Sequence, residues 1–224
     1  MNKLKIFHPG IKGFGGHTTR HYLNYEQAFK SDIFYFTFLR EPISRYLSHF
    51  QYQVDKMEIK WDINKFIDEP RFNNYMTNRL TKNLNDGNKA YQELKKFDFV
   101  GIVEHFDESI IMLAEKLEHY KIKPYYEIKN KAENNGKISF KSLSKIQQKK
   151  IIKNNQQDII LYNRVIKELF PLQIHNYKGN IEKDLSRFNL TMKSFKYSKL
   201  RFNYIKLLKG YNHFISEPIA HYFK

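Results

Sequence analysis

The sequence predicts an α/β protein in which a short central parallel sheet is flanked by helices and the C-terminal half is rich in helix. Three observations carry this. Residues 33–39, IFYFTFL, form an almost unbroken apolar and aromatic run of strand length, the pattern of a strand buried on both faces. Directly after it, Ile43, Tyr46, Leu47 and Phe50 recur at helical spacing. The same order returns at residues 97–103, FDFVGIV, followed by Ile110, Ile111, Leu113, Ala114 and Leu117. Two strand-then-helix units imply parallel strands joined by a right-handed crossover.

Composition narrows the function classes. At 224 residues the chain supports one sizeable core. With 41% hydrophobic and 16% aromatic residues it reads as globular rather than disordered. The formal charge of +16 draws in polyanions, whether nucleotide, acidic glycan, nucleic acid or anionic lipid. Because there is no cysteine, disulfides and thiolate metal sites are excluded, and no metal is expected. The first sixteen residues show no signal-peptide core and no apolar run reaches membrane-spanning length, so the default expectation is a cytoplasmic protein.

Taken in order, residues 4–7 are a short apolar patch of strand character. The glycine-rich HPGIKGFGGH that follows has Lys12 but no Lys-Ser/Thr pair opening a helix, so it is not read as a phosphate loop. Residues 20–25 read as a short helix packing Tyr22 and Leu23. Arg40 then lies at the carboxyl end of the 33–39 strand, where open α/β sheets bind ligands. Pro42 suits the first helical position and Glu41 the positive end of the helix dipole. Arg40, Ser44 and Ser48 fall at steps of four, so a cation, two hydroxyls and a helix N-terminus together describe a phosphate site. The plainer alternative pairs Arg40 with Glu41 and leaves both serines in solvent.

Further along, Asp62 caps a helix that turns Ile63, Phe66 and Ile67 inward, and Tyr75, Met76 and Leu80 mark another. Asp107 is placed to cap the helix after the second strand. Residues 120–141 form a long loop dense in Lys, Asn and Gly. Two helices follow, at 143–155 and 157–170, the second with a broad apolar stripe and Pro171 as its stop. Residues 173–224 alternate basic and aromatic side chains, with an amphipathic helix expected between 191 and 208.

The string R-x-P-x-x-R-x-x-S at Arg40, Pro42, Arg45 and Ser48, straight after a hydrophobic strand, resembles the 3'-phosphate-binding segment of carbohydrate sulfotransferases, the group that includes the heparan sulfate 2-O and 6-O enzymes and their bacterial relatives. VGIVEHFDES (100–109) and DIILYNRVIKELF (158–170) resemble further signatures in the same order, so that the likeness covers roughly residues 15–170. It implies a P-loop-like three-layer fold. In site terms it makes His17 the general base, at the relatives' spacing ahead of Arg40, with His8 and His21 as competitors. It assigns the donor's 3'-phosphate to Arg40 and Ser48, with Arg45 and Ser44 beside them. Lys131 and Asn134 are placed in a basic loop closing on the adenosine. Asn73, Asn74, Thr77 and Arg79 of NNYMTNRL are placed over the acceptor cleft.

One departure stands out. The relatives open with a strand and a Lys-Thr-Gly-Gly-Thr-Ser loop that grips the 5'-phosphosulfate; here Met1 is sixteen positions before His17, and the expectation is an N-terminally truncated domain over 1–172 followed by a basic aromatic extension over 173–224. The implied activity is transfer of a sulfuryl group from 3'-phosphoadenosine 5'-phosphosulfate to a carbohydrate hydroxyl, as in polysaccharide sulfation. A catalytically silent module binding a nucleotide or polyanionic glycan is the alternative, and a nucleic-acid-binding protein a further one. The extension also offers a peripheral membrane contact.

Overall fold

The structure is a computed structural model, and it describes residues 13, 15–16, 19–23, 25–55, 57, 60, 62–126 and 138–195. Two compact units divide the chain, one made of Met1–Ile33 with Leu190–Lys224 and the other of Phe34–Asn189. In the first, a 3-10 turn at His21–Leu23 precedes helix α1 (Tyr25–Phe29). The helix expected at 20–25 thus begins later, and Leu23 is 55% exposed rather than packed. Tyr25 and Phe29, one turn apart, bring their rings to 6.4 Å instead.

The second unit holds the α/β core. Strand β1 (Phe36–Leu39) pairs in parallel with β2 (Phe99–Ile102), in a register that sets Phe36 opposite Phe99 and Leu39 opposite Ile102. Both strands are shorter than their apolar runs. β2 is buried throughout, but β1 is not buried on both faces as its sequence suggests, since Phe36 is 50% exposed. Among the described residues the sheet has these two strands, and side chains complete the far edge of β2. The Val100 amide donates to Gln173 Oε1 at 2.9 Å while Gln173 Nε2 donates to the Val100 carbonyl at 2.8 Å, so one glutamine imitates a strand residue. Two residues on, Ser109 Oγ accepts from the Ile102 amide at 2.9 Å and ends the strand.

Helices follow at α2 (Pro42–Asp55), α3 (Ile63–Ile67), α4 (Tyr75–Leu80), α5 (Gly87–Leu94), α6 (Phe106–Lys116), α7 (Lys145–Asn154) and α8 (Gln156–Arg164). Several begin where the sequence places a cap. Asp62 accepts from the Asn64 and Lys65 amides of α3, and Ser144 with Gln147 forms a capping box on α7. Asp107 departs from its expected role. It lies inside the first turn of α6 and accepts from the Tyr126 hydroxyl at 2.6 Å, while His105 occupies the cap position without a side-chain bond to the helix amides.

Pro171 does not end its helix either. A π segment at Val165–Leu169 widens the preceding turn, and α9 (Phe170–His175) carries the proline in its first turn, where a missing N–H costs nothing. The last described element, α10, runs Ile181–Ser194, and most of the expected 191–208 helix lies outside the described residues. Apolar side chains gather in two clusters. One wraps both strands, with Leu94, Phe99, Ile102, Met112 and Leu161; the other lies between α2, α3 and α7, with Tyr46, Phe50, Phe66, Phe72 and Ile151.

Candidate functional site

Parallel pairing brings the carboxyl ends of β1 and β2 to one edge, so Arg40 and Glu41 come to lie beside Val103 and Glu104. Glu104 ties the edge together. Its Oε1 accepts from the Glu41 amide at 2.9 Å and its Oε2 from the Tyr162 hydroxyl at 2.8 Å. Burial, with Glu104 beside it, pushes the Tyr162 hydroxyl well above the ordinary tyrosine range, so it stays a donor.

The N-terminus of α2 is not open to an anion. Glu41 folds its carboxylate onto it, accepting from the Ile43 amide at 3.0 Å and the Ser44 amide at 2.6 Å. This corrects the expectation that the helix N-terminus itself supplies phosphate donors: the capping carboxylate, placed by the same sequence, takes them first. It also separates Glu41 from the simple pairing with Arg40, as no ion pair joins the two among the described residues. Side chains are what the site offers. Ser44 and Ser48 are exposed on one face of α2, and Arg40 is partly exposed at the strand end.

Arg45 turns inward, toward Asp158 of α8. Its side chain is only 14% exposed and lies 3.9 Å, through Nε, from Asp158, which is fully buried. The guanidinium also sits over the Tyr75 ring, 5.0 Å from its centroid. Neither Nε nor Nη2 of Arg45 has a hydrogen-bond partner. Burial lowers its proton affinity and the nearby Arg40 charge adds to that, while Asp158 opposes both. The Arg40 charge is thus felt at Arg45, and the buried guanidinium of Arg45 holds donors without partners.

Asp158 links this arginine to α4. Its carboxylate accepts from the Met76 amide at 3.1 Å and the Thr77 amide at 2.8 Å, capping the helix. Asn74 answers from the other side: its Oδ1 accepts from the Gln157 amide at 2.9 Å and the Asp158 amide at 3.3 Å, at the start of α8. Burial raises the Asp158 carboxyl above its ordinary range, and the two amides and Arg45 pull it back.

The four residues expected over the acceptor cleft therefore fall in two settings. Asn74 and Thr77 are buried, Asn74 engaged in capping; Asn73 and Arg79 are partly exposed. Arg79 stacks 4.3 Å from the Tyr75 centroid and donates to that hydroxyl. The structure thus brings Arg45, Tyr75, Thr77, Arg79 and Asp158 into one cluster. His17, Lys131 and Asn134 lie outside the described residues.

Among the described residues no group of three or more His, Asp or Glu side chains is disposed to hold a metal. No described helix is long and apolar enough to cross a membrane. Compared with known proteins, the chain matches a family model described as the sulfotransferase family over residues 15–163. No curated protein and no solved structure matches it.

Proposed function

Since the chain belongs to the sulfotransferase family, we propose that it transfers a sulfuryl group from 3'-phosphoadenosine 5'-phosphosulfate to a hydroxyl of a carbohydrate acceptor. The observation that carries the reading is the carboxyl end of β1 running into α2, where partly exposed Arg40 is followed by exposed Ser44 and Ser48 and by Arg45, whose Nε and Nη2 are buried without partners. Phosphate oxygens match the Arg40 guanidinium and the hydroxyls of Ser44 and Ser48 on the adjoining face of α2, with the buried Arg45 guanidinium as a second cation beneath them. These four hold the 3'-phosphate in this account.

In the reaction, the acceptor oxygen attacks sulfur while the bond from sulfur to the bridging phosphate oxygen breaks. The hydroxyl proton passes to His17 and adenosine 3',5'-bisphosphate leaves. Lys131 and Asn134 close on the adenosine; Asn73 and Arg79 face the acceptor, with Asn74 capping α8 and Thr77 buried in α4 behind them.

A transfer assay tests this. Donor labelled in its sulfuryl group, incubated with the protein and a panel of glycans, should label at least one glycan, and both Arg40→Ala and His17→Ala should abolish the label. Donor binding without transfer to any glycan would favour a silent nucleotide-binding module. Transfer that survives both substitutions would overturn the site assignment.

A further inference from the structure

We propose that Asp158 is a positioning residue of the donor site, a counter-charge that holds Arg45 in place without consuming its hydrogen-bond donors. This rests on the reading of Arg40 and Arg45 as the 3'-phosphate site. The geometry is unusual for an ion pair. At 3.9 Å the Asp158 carboxylate is beyond hydrogen-bonding distance of Arg45 Nε, and its oxygens are bonded to the Met76 and Thr77 amides. Asp158 thus neutralises the buried guanidinium electrostatically, while Nε and Nη2 remain unpartnered. A bidentate pair would have fixed Arg45 equally well and left it fewer donors for a ligand.

The arrangement also explains why one carboxylate sits where it does. Asp158 is fully buried, which is costly for a charge unless it is paired and hydrogen-bonded. By capping α4 and facing Arg45 at once, it joins the helix bearing Asn73 and Arg79 to the arginine on α2. Removing its charge leaves Arg45 buried beside Arg40 with no compensation, so the side chain is expected to turn out toward solvent and lose its aim. A purely electrostatic role predicts the reverse, because deleting a negative charge near an anion site strengthens anion binding.

The experiment compares dissociation constants for adenosine 3',5'-bisphosphate and adenosine 5'-phosphate, by titration calorimetry, in the wild-type chain, Asp158→Asn, Asp158→Glu and Gln173→Met. Asparagine keeps an acceptor for one of the two α4 amides and loses the other, so this variant also lowers the thermal midpoint, and the comparison of the two nucleotides is what isolates Arg45. The expected result for Asp158→Asn is a bisphosphate affinity about tenfold or more weaker, with monophosphate affinity within about twofold of wild type. Asp158→Glu should restore most of the preference. Gln173→Met, which removes the side-chain bonds to Val100 and leaves Arg45 facing Asp158, should lower the thermal midpoint and keep the preference.

If Asp158→Asn retains the wild-type preference, binds the bisphosphate more tightly, or weakens both ligands in parallel, the positioning role is overturned and the 3'-phosphate site stands. If the wild-type chain itself shows no preference for the bisphosphate, the reading of the site fails, and this inference with it.

Discussion

Asn74 and Asp158 cap each other's helices: the Asn74 side chain accepts the first free amides of α8, and the Asp158 side chain accepts those of α4. Asn74 does this from a left-handed backbone, φ 42°, which asparagine tolerates better than most residues. Asn74→Ala removes the acceptor and keeps the strained φ, and a loss of about 2 kcal/mol is expected. Asn74→Gly relieves the φ and should lose less. Urea unfolding of the two variants beside wild type checks the order.

Gln173 is expected to matter more than a surface glutamine usually does, because it bonds both backbone groups of Val100. Gln173→Met leaves that amide and carbonyl unpaired and should cost about 1–3 kcal/mol. Hydrogen exchange of the Val100 amide, faster in the variant than its global stability accounts for, is the specific signature.

Gly101 faces the Phe38 ring, and a Cβ there would run into it. Gly101→Ala should therefore destabilise by about 1–3 kcal/mol through a displaced ring. In a Phe38→Leu background the same change should cost clearly less, which a double-mutant cycle measures directly.

Raised tyrosines set an alkaline limit, Tyr126 and Tyr177 among them. Burial, reinforced by hydrogen bonds to Asp107 and Asp184, pushes the Tyr126 and Tyr177 hydroxyls up to about 12. Between the ordinary tyrosine value near 10 and 12 the unfolded chain loses protons that the folded chain keeps, so stability falls as pH rises through that window. Below pH 10 neither group contributes a slope. Denaturation midpoints at pH 9 and pH 11.5 should differ less in Tyr126→Phe and Tyr177→Phe than in wild type.

Much of this fold is legible in the sequence because apolar periodicity and capping residues act locally. Ile43, Tyr46, Leu47 and Phe50 turn inward at helical spacing, and Asp62 and Ser144 cap where their positions suggest. What escapes is set by partners distant in sequence. Phe36 is exposed because strand burial depends on what lies across the sheet, and Pro171 is tolerated because a π turn precedes it. The arginine motif identifies Arg40 and Arg45 together, yet spacing alone does not say that Arg45 faces inward. Asp158 was the residue to question. It lies on the same helical stripe as Leu161 and Val165, at steps of three and seven, and a charge on an apolar stripe signals a buried partner.

Recognition of the donor's 3'-phosphate at the carboxyl end of β1 is open to one calorimetric comparison. Wild-type protein titrated with adenosine 3',5'-bisphosphate should bind at least about tenfold more tightly than with adenosine 5'-phosphate, as two charge-assisted contacts predict, and Arg40→Ala should erase the difference. Equal affinity for the two nucleotides in the wild-type chain, or a preference untouched by Arg40→Ala, would contradict the account.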